Sequence, residues 1–80
     1  MTLIVKESSP LVSIVVISYN SSKYIVELLD SVNSQSYKNI ELIISDDASS
    51  DDTLKKAGLW VSLNKKRFKK VSILESKKNL

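Results

Sequence analysis

Two segments of the chain decide the fold: residues 12–20 read VSIVVISYN, and residues 40–47 read IELIISDD. Both begin as runs of β-branched and apolar residues, which are typical of strands covered on both faces in a parallel sheet. Between the two runs, apolar side chains recur at the spacing of one helical face, at Ile25, Leu28, Leu29 and Val32. Strand, helix and strand in that order predict a βαβ unit with parallel strands.

The same pattern is repeated toward the end of the chain. Leu54, Ala57 and Val61 predict a second helix, and residues 71–74 predict a third strand. The predicted fold class is α/β, a truncated Rossmann-like half-fold of about three parallel strands with flanking helices, in the order β-α-β-α-β. Residues 1–10, which end in Ser-Ser-Pro, are predicted to be a lead-in before the first ordered element.

Residues 11–80 would then form one partial domain. Three parallel strands need helices on both faces, and the sequence supplies only two helices. We therefore expect the chain to be a fragment of a larger α/β protein. We also expect part of the cover to be missing from Leu59, Trp60 and Leu63.

Polar and aromatic residues follow the first two predicted strands. Tyr19 and Asn20 come directly after one strand, and Asp46 and Asp47 end the other. In open α/β sheets, ligands bind beyond the carboxyl ends of the strands, so both loops would meet at one edge. An aromatic ring can stack on a nucleobase while a carboxylate accepts a ring N–H. There are alternatives without a nucleotide: Tyr19 would be a packed tyrosine, and Asp46 and Asp47 would be turn carboxylates or a magnesium-binding acidic pair.

Composition excludes several kinds of chemistry. There is no cysteine and no histidine, which removes disulfides, thiolate zinc sites and Ser-His or Cys-His nucleophiles. The only glycine is Gly58, so neither a P-loop nor a GxGxxG turn can form. The basic run at residues 65–70 reads as a solvated helix end, and it contains one aromatic residue, Phe68, so we expect no nucleic-acid partner.

Four segments together resemble family 2 glycosyltransferases, which have the GT-A fold. Residues 12–20 look like the family's opening strand and YN loop, and residues 31–37 resemble its S-x-x-x-Q-x-Y helix end. Residues 41–53 are similar to E-hydrophobics-x-D-D-G-S-x-D-x-T, and residues 78–80 resemble the start of its N-x-G segment. The likeness is strong over residues 11–54 and weak beyond them.

The resemblance implies a nucleotide-binding role for particular residues. Tyr19 matches the position whose ring packs near the base, and Asp47 matches the carboxylate that accepts a hydrogen bond from it. Asp46 and Ser18 are placed with them in the predicted nucleotide site, Asp46 also as a neighbour that orders the loop. Loop-bracing or helix-capping roles are expected for three residues: Asn20, Ser49 and Asp51.

Two departures from the family pattern stand in these segments. Ile17 lies where proline or threonine is frequent, and Ala48 lies where glycine is commonest. Neither change removes a functional group, although Ala48 is expected to shift the loop backbone because glycine alone adopts positive φ freely.

For the parent protein, the resemblance implies transfer of a sugar from a nucleotide-diphospho-sugar, commonly a UDP-sugar, to an acceptor hydroxyl. Polysaccharide or glycoconjugate synthesis is the expected setting, with a saccharide or lipid-linked acceptor. A divalent metal, Mg²⁺ or Mn²⁺, would be held by a later D-x-D motif, and a further carboxylate would be the base. Neither element lies in these 80 residues. We therefore expect no catalytic or metal-binding residue here and no activity from the chain alone.

The expected location is the cytoplasm, with peripheral association at the inner face of the cell membrane and pairing between copies as further expectations. Three rival functions stay open at this point. The first is a non-catalytic nucleotide-binding or regulatory α/β module. The second is a receiver-like phosphoacceptor domain, which would need an aspartate at the end of the third strand, where residues 75–77 read ESK. The third is a plain interaction domain.

Overall fold

The computed structural model describes residues 2–8 and 11–76 of the chain. Its elements, in chain order, are β1 (Thr2–Ser8), β2 (Leu11–Ser18), α1 (Ile25–Asn33), β3 (Ile40–Asp47), α2 (Thr53–Asn64), a 3-10 turn (Lys65–Arg67) and β4 (Lys70–Ser76). The predicted likeness of residues 78–80 to the N-x-G segment lies outside the described residues.

The four strands form one sheet in the order β1-β2-β3-β4. β2, β3 and β4 are parallel to one another, and each crossover between them contains one helix. This arrangement confirms the predicted α/β, Rossmann-like half-fold with three parallel strands and two helices. The register places Ser18 beside Asp46, so the loops that follow β2 and β3 leave the same edge of the sheet.

Strand β1 is the element that the sequence did not predict. The lead-in expected over residues 1–10 contains this strand, which pairs antiparallel with β2 from Thr2 opposite Ile17 to Ser8 opposite Leu11. Its signal in the sequence is a short run with three β-branched residues, Thr2, Ile4 and Val5. With β1 on one side and β3 on the other, β2 is a central strand of the sheet.

Both helices cover the same face of the sheet. Alternate residues of β2 and β3 are buried, and the core joins them to residues of α1 and α2, which also contact each other. This follows from handedness, because two successive right-handed crossovers in the same direction put their helices on the same side. On the opposite face Ile17 and Leu74 are exposed.

The expectation for the second helix is confirmed in part. Leu59 is 60% exposed and Leu63 is 84% exposed, as predicted. Trp60 is only 5% exposed, so the prediction for this residue is wrong. Its ring packs near Phe68, with the two centroids 5.9 Å apart, and its indole Nε1 donates to Asp30 Oδ1 of α1 at 2.8 Å. The neighbouring helix supplies the cover that the sequence pattern of α2 alone does not reveal.

Candidate nucleotide-binding site

The candidate site is built by two loops at the carboxyl edge of the sheet. One loop, residues 19–24, joins β2 to α1, and the other, residues 48–52, joins β3 to α2. Hydrogen bonds run from one loop to the other at several points, so the two segments form one connected surface. Parallel pairing brings them together because neighbouring parallel strands end at the same edge.

A buried carboxylate lies under this surface. Asp46 is 1% exposed, and its Oδ1 accepts the hydroxyl of Ser18 at 2.7 Å and that of Ser49 at 2.5 Å. Its Oδ2 accepts the backbone N–H of Ser49 at 2.9 Å. Ser18 is also 1% exposed. Both residues were placed in the predicted nucleotide site, Asp46 also as a residue that orders the loop. Their burial and their hydrogen bond to each other suit support of the loop from beneath.

Asn20 connects the first loop to the second. Its backbone N–H donates to Ser49 Oγ at 2.9 Å. Its side-chain Oδ1 accepts the backbone N–H of Ser50 at 2.8 Å and, in a longer contact of 3.4 Å, that of Asp51. The side chain of Ser49 therefore stands between Asn20 and the buried Asp46. Ser49 does not cap α2, because that helix begins four residues later, at Thr53.

Asp51 forms a second connection at the start of α2. Its Oδ1 accepts the backbone N–H of Thr53 at 3.0 Å as well as the Thr53 hydroxyl, and its Oδ2 accepts the N–H of Ser22 at 3.2 Å. Thr53 Oγ1 in turn accepts the N–H of Ser21 at 2.8 Å. The hydrogen bond from the Thr53 hydroxyl is the main cause that lowers the pKa of Asp51.

The neighbouring Asp52 adds a charged contact. Its Oδ1 accepts the hydroxyl of Ser22 at 2.5 Å, and this bond is the main cause that lowers the pKa of Asp52. The positive charge of Lys56 lowers the pKa further. Lys56 Nζ donates to the backbone oxygen of Ser22 at 2.9 Å. The start of α2 is thereby tied to the first loop through both side-chain and backbone atoms.

Tyr19 and Asp47 differ from their neighbours in the described part of the chain because their side-chain polar groups make no hydrogen bond there. Tyr19 is 51% exposed, and Asp47 is half-buried. Within residues 11–76, no hydrogen bond or ion pair engages the Tyr19 phenol or the Asp47 carboxylate. These are the two residues for which the sequence predicts contact with the base, and they lie at the ends of adjacent strands.

The site is an open edge rather than a closed pocket. Among the cavities of the described chain, one of about 200 Å³ lies near the start of β2 and is lined in part by Val12. Another borders the first loop and is lined in part by Ser22 and Lys56. Neither is lined by Tyr19 or Asp47.

A divalent metal does not fit the groups that these loops provide. No cluster of three or more His, Cys, Asp or Glu side chains suited to a metal ion occurs among the described residues. The carboxylate of Asp46 is occupied by serine donors, and those of Asp51 and Asp52 by Thr53 and Ser22. No step of the chemistry is therefore assigned to a metal held by these residues.

Four residues of the site were missed from the sequence: Ser21, Ser22, Asp52 and Thr53. Thr53 is the last residue of the motif given above for residues 41–53. Its place in that motif could have indicated a role in the site. Its burial and its hydrogen bonds to both loops show why a hydroxyl is required there. Ser21 and Ser22 were readable as helix N-cap candidates in the first loop, but this gave no sign of their contacts with the second loop.

The three parallel strands and two helices define an α/β, Rossmann-like half-fold. Comparison with known proteins specifies the family. The family model described as Glycosyl transferase family 2 matches residues 13–80. The chain belongs to glycosyl transferase family 2, a family of transferases.

Several curated bacterial proteins are similar to the chain. An uncharacterized glycosyltransferase of Haemophilus influenzae is 38% identical over 74 residues, which are 92% of this chain and 22% of that protein. EpsE of Bacillus subtilis, named as a glycosyltransferase, is 40% identical over 90% of this chain and 25% of its own length. The UDP-Glc:alpha-D-GlcNAc-diphosphoundecaprenol beta-1,3-glucosyltransferase WfaP of Escherichia coli is 47% identical over 69% of this chain and 20% of its own length. The chain thus spans a quarter or less of these relatives.

The backbone at Ala48 yields a first test. This residue has φ 53, in the left-handed region, where a side chain other than glycine costs about 1–2 kcal/mol. Ala48→Gly removes that strain but adds about 0.4–1 kcal/mol of unfolded-state entropy. We expect the free energy of unfolding, measured by urea titration, to rise by about 0.5–1 kcal/mol.

The matched control for this test is Ala57→Gly. Ala57 is buried within α2, where glycine lacks the packed methyl group and lowers helix stability by about 1 kcal/mol. We expect this variant to be less stable than the unchanged chain. A fall in stability for Ala48→Gly as well would contradict the strained backbone at Ala48.

The carboxylates of Asp51 and Asp52 make the stability of the chain depend on pH. Because their pKa values are lowered in the folded state, their contribution is complete above the usual value of 3.8 and is lost as the pH falls through the lower folded values. We expect Asp51→Asn to flatten the fall in unfolding free energy in this acid range. The measurement is urea unfolding at a series of pH values from neutral to below 3.8.

Glu27→Gln serves as the control for the pH series. Glu27 is exposed on α1, and no hydrogen bond of its carboxylate occurs among the described residues. We expect this variant to keep the acid dependence of the unchanged chain. An equally steep acid dependence in Asp51→Asn would show that the contacts of Asp51 do not favour its ionised form.

Proposed function

We propose that this chain forms the nucleotide-binding part of a glycosyltransferase. The enzyme binds a nucleotide-diphospho-sugar, most simply a UDP-sugar, and transfers the sugar to an acceptor hydroxyl. The observation that carries the proposal is the pair of connected loops at the carboxyl edge of β2 and β3, where Tyr19 and Asp47 retain unused functional groups. Ligands of open α/β sheets bind at this edge.

In this proposal the two side chains recognise different features of the base. The exposed ring of Tyr19 stacks on the face of the base, an interaction worth about 1–3 kcal/mol in nucleic-acid complexes. The carboxylate of Asp47 accepts the ring N–H of uracil in a charge-assisted hydrogen bond, worth about 1.5–3 kcal/mol. Ser18 and Asp46 hold the strand ends beneath the base, without touching it.

The relatives support the chemical setting. WfaP is named for a UDP-Glc donor and for an acceptor linked to diphosphoundecaprenol, and a chondroitin synthase of Escherichia coli is 50% identical over 58% of this chain. We propose a role in the synthesis of a polysaccharide or glycoconjugate on that basis. The metal on the diphosphate and the base for the acceptor hydroxyl are assigned to the longer protein, so the chain alone is proposed to be inactive.

We also propose peripheral association with an anionic membrane surface in the cytoplasm. No helix of the described chain has the length and apolar character needed to cross a bilayer. On α2, however, the exposed side chains of Leu59 and Leu63 lie one turn apart, and the exposed Lys55 lies one turn before them on the same face. A lysine beside exposed leucines suits anionic headgroups over an apolar interior.

Nucleotide recognition is tested by NMR titration of the chain with UDP, with CDP as the comparison. We expect saturable shifts at Tyr19 and Asp47 with UDP, and weaker binding of CDP because cytosine lacks the N–H that Asp47 accepts. Asp47→Ala should raise the dissociation constant for UDP by about tenfold or more, the effect of one charge-assisted hydrogen bond.

Glu27→Ala, which changes an exposed residue of α1 whose carboxylate has no hydrogen bond among the described residues, should leave UDP affinity unchanged. Equal affinities for UDP and CDP, with no loss in Asp47→Ala, would refute the assigned role of Asp47. A folded chain in which UDP shifts neither Tyr19 nor Asp47 would refute the proposed site.

Membrane association is tested by sedimentation with lipid vesicles. We expect binding to vesicles that contain phosphatidylglycerol, little binding to pure phosphatidylcholine, and loss of binding in the double variant Leu59→Ser and Leu63→Ser. Leu74→Ser, which changes an exposed leucine on the opposite face of the sheet, is the control and should bind normally. Sedimentation that is equal for both lipids, or absent for both, would contradict the proposal.

A further inference from the structure

We propose that Asn20 is a positioning residue, which sets the affinity of the site for nucleotide by connecting its two loops without touching the ligand. The inference rests on the proposed function, because it concerns the same site. It is carried by the contacts of Asn20 and by the backbone on either side of the site. Asn20 lies directly after Tyr19, yet its contacts are with the other loop.

Asn20 makes several contacts with the second loop. Asn20 uses its backbone N–H for Ser49 and its side-chain Oδ1 for the N–H groups of Ser50 and Asp51. Three successive residues of the second loop are thus held by one residue of the first. Since Ser49 also donates to the buried Asp46, the connection continues into the core of the sheet.

The backbone conformation is unusual at the start of both loops. Within the described residues, the positive φ values occur at two positions, Asn20 with φ 45 and Ala48 with φ 53. Each follows directly after one of the two residues with unused functional groups, Tyr19 and Asp47. A left-handed residue turns the chain sharply as it leaves a strand, so the two turns determine how Tyr19 and Asp47 are presented. Asparagine suits this conformation better than most residues.

These contacts predict that removal of the Asn20 side-chain oxygen lowers the affinity for nucleotide more than it lowers the stability of the fold. Ser50 and Asp51 are exposed, so their N–H groups can bond to water if the Asn20 oxygen is removed. Loss of that oxygen should therefore cost little stability, while the two loops gain freedom relative to each other. Binding must then restore their alignment, and this cost lowers the affinity.

The experiment compares Asn20→Gly with Asn20→Asp in the full chain. Glycine keeps the left-handed backbone and loses the acceptor, whereas aspartate keeps both an oxygen acceptor and tolerance of positive φ. We expect Asn20→Gly to raise the dissociation constant for UDP by about tenfold, the effect of about one hydrogen bond. Asn20→Asp should remain within about threefold of the unchanged chain, since it retains the acceptor.

Two further readouts accompany the affinities. Amide shifts of Ser50 and Asp51 should move in Asn20→Gly without ligand, and the urea midpoint should stay close to that of the unchanged chain. Equal UDP affinity in Asn20→Gly and the unchanged chain would overturn the role of Asn20 but not the proposed function. Equal weakening in Asn20→Gly and Asn20→Asp would also overturn it, because the acceptor would then not matter. Absence of UDP binding in the unchanged chain would instead overturn the proposed function, and the role of Asn20 with it.

Discussion

The hydrogen bonds to the buried carboxylate of Asp46 are the constraint on which the site depends. An ionised carboxylate is costly to bury unless donors surround it, and here the donors come from Ser18 on the neighbouring strand and from Ser49 in the following loop. Satisfying this one group aligns the ends of β2 and β3 and bends the second loop back over them. The contact of Asn20 with the second loop is linked to that alignment through Ser49, which bonds to both Asn20 and Asp46.

The direction of the chain determines which face of the sheet is covered. From β2 to β4 the strands are added in one direction, so both right-handed crossovers place their helices on the same side. The core forms on that side, whereas Ile17 and Leu74 remain exposed on the other. The site lies at the edge between these two faces, so it is an open surface that buried residues support from beneath.

Most of the fold was predictable because its signals are local. The apolar runs of β2, β3 and β4 and the helical spacing in α1 need no knowledge of distant residues, whereas β1 is specified by its pairing with β2, which the sequence of residues 2–8 does not reveal.

In the site, the positions of both loops were predictable from the ends of the strands. The sequence placed Asp46 in the nucleotide site with Asp47 and also as a residue that orders the loop. The structure explains its burial by position, because Asp46 is in phase with the buried Leu42 and Ile44 along β3. The contacts of Ser22 with Asp51 and Asp52 were not predictable, because they join loops about 30 residues apart.

The strained backbone at Ala48 lies directly beside a residue that is proposed to contact the base. An alanine with φ 53 carries a cost that glycine would avoid, and it stands directly after Asp47, the carboxylate with no partner inside the described protein. Strained positions persist where the surroundings over-determine them, and Ser49, bonded twice to Asp46, supplies that restraint here. Alanine also has fewer accessible conformations than glycine, so the loop loses less freedom when a ligand binds. The strain at Ala48 and the connection through Asn20 therefore act in the same direction: both limit the motion of the residues that are proposed to contact the base.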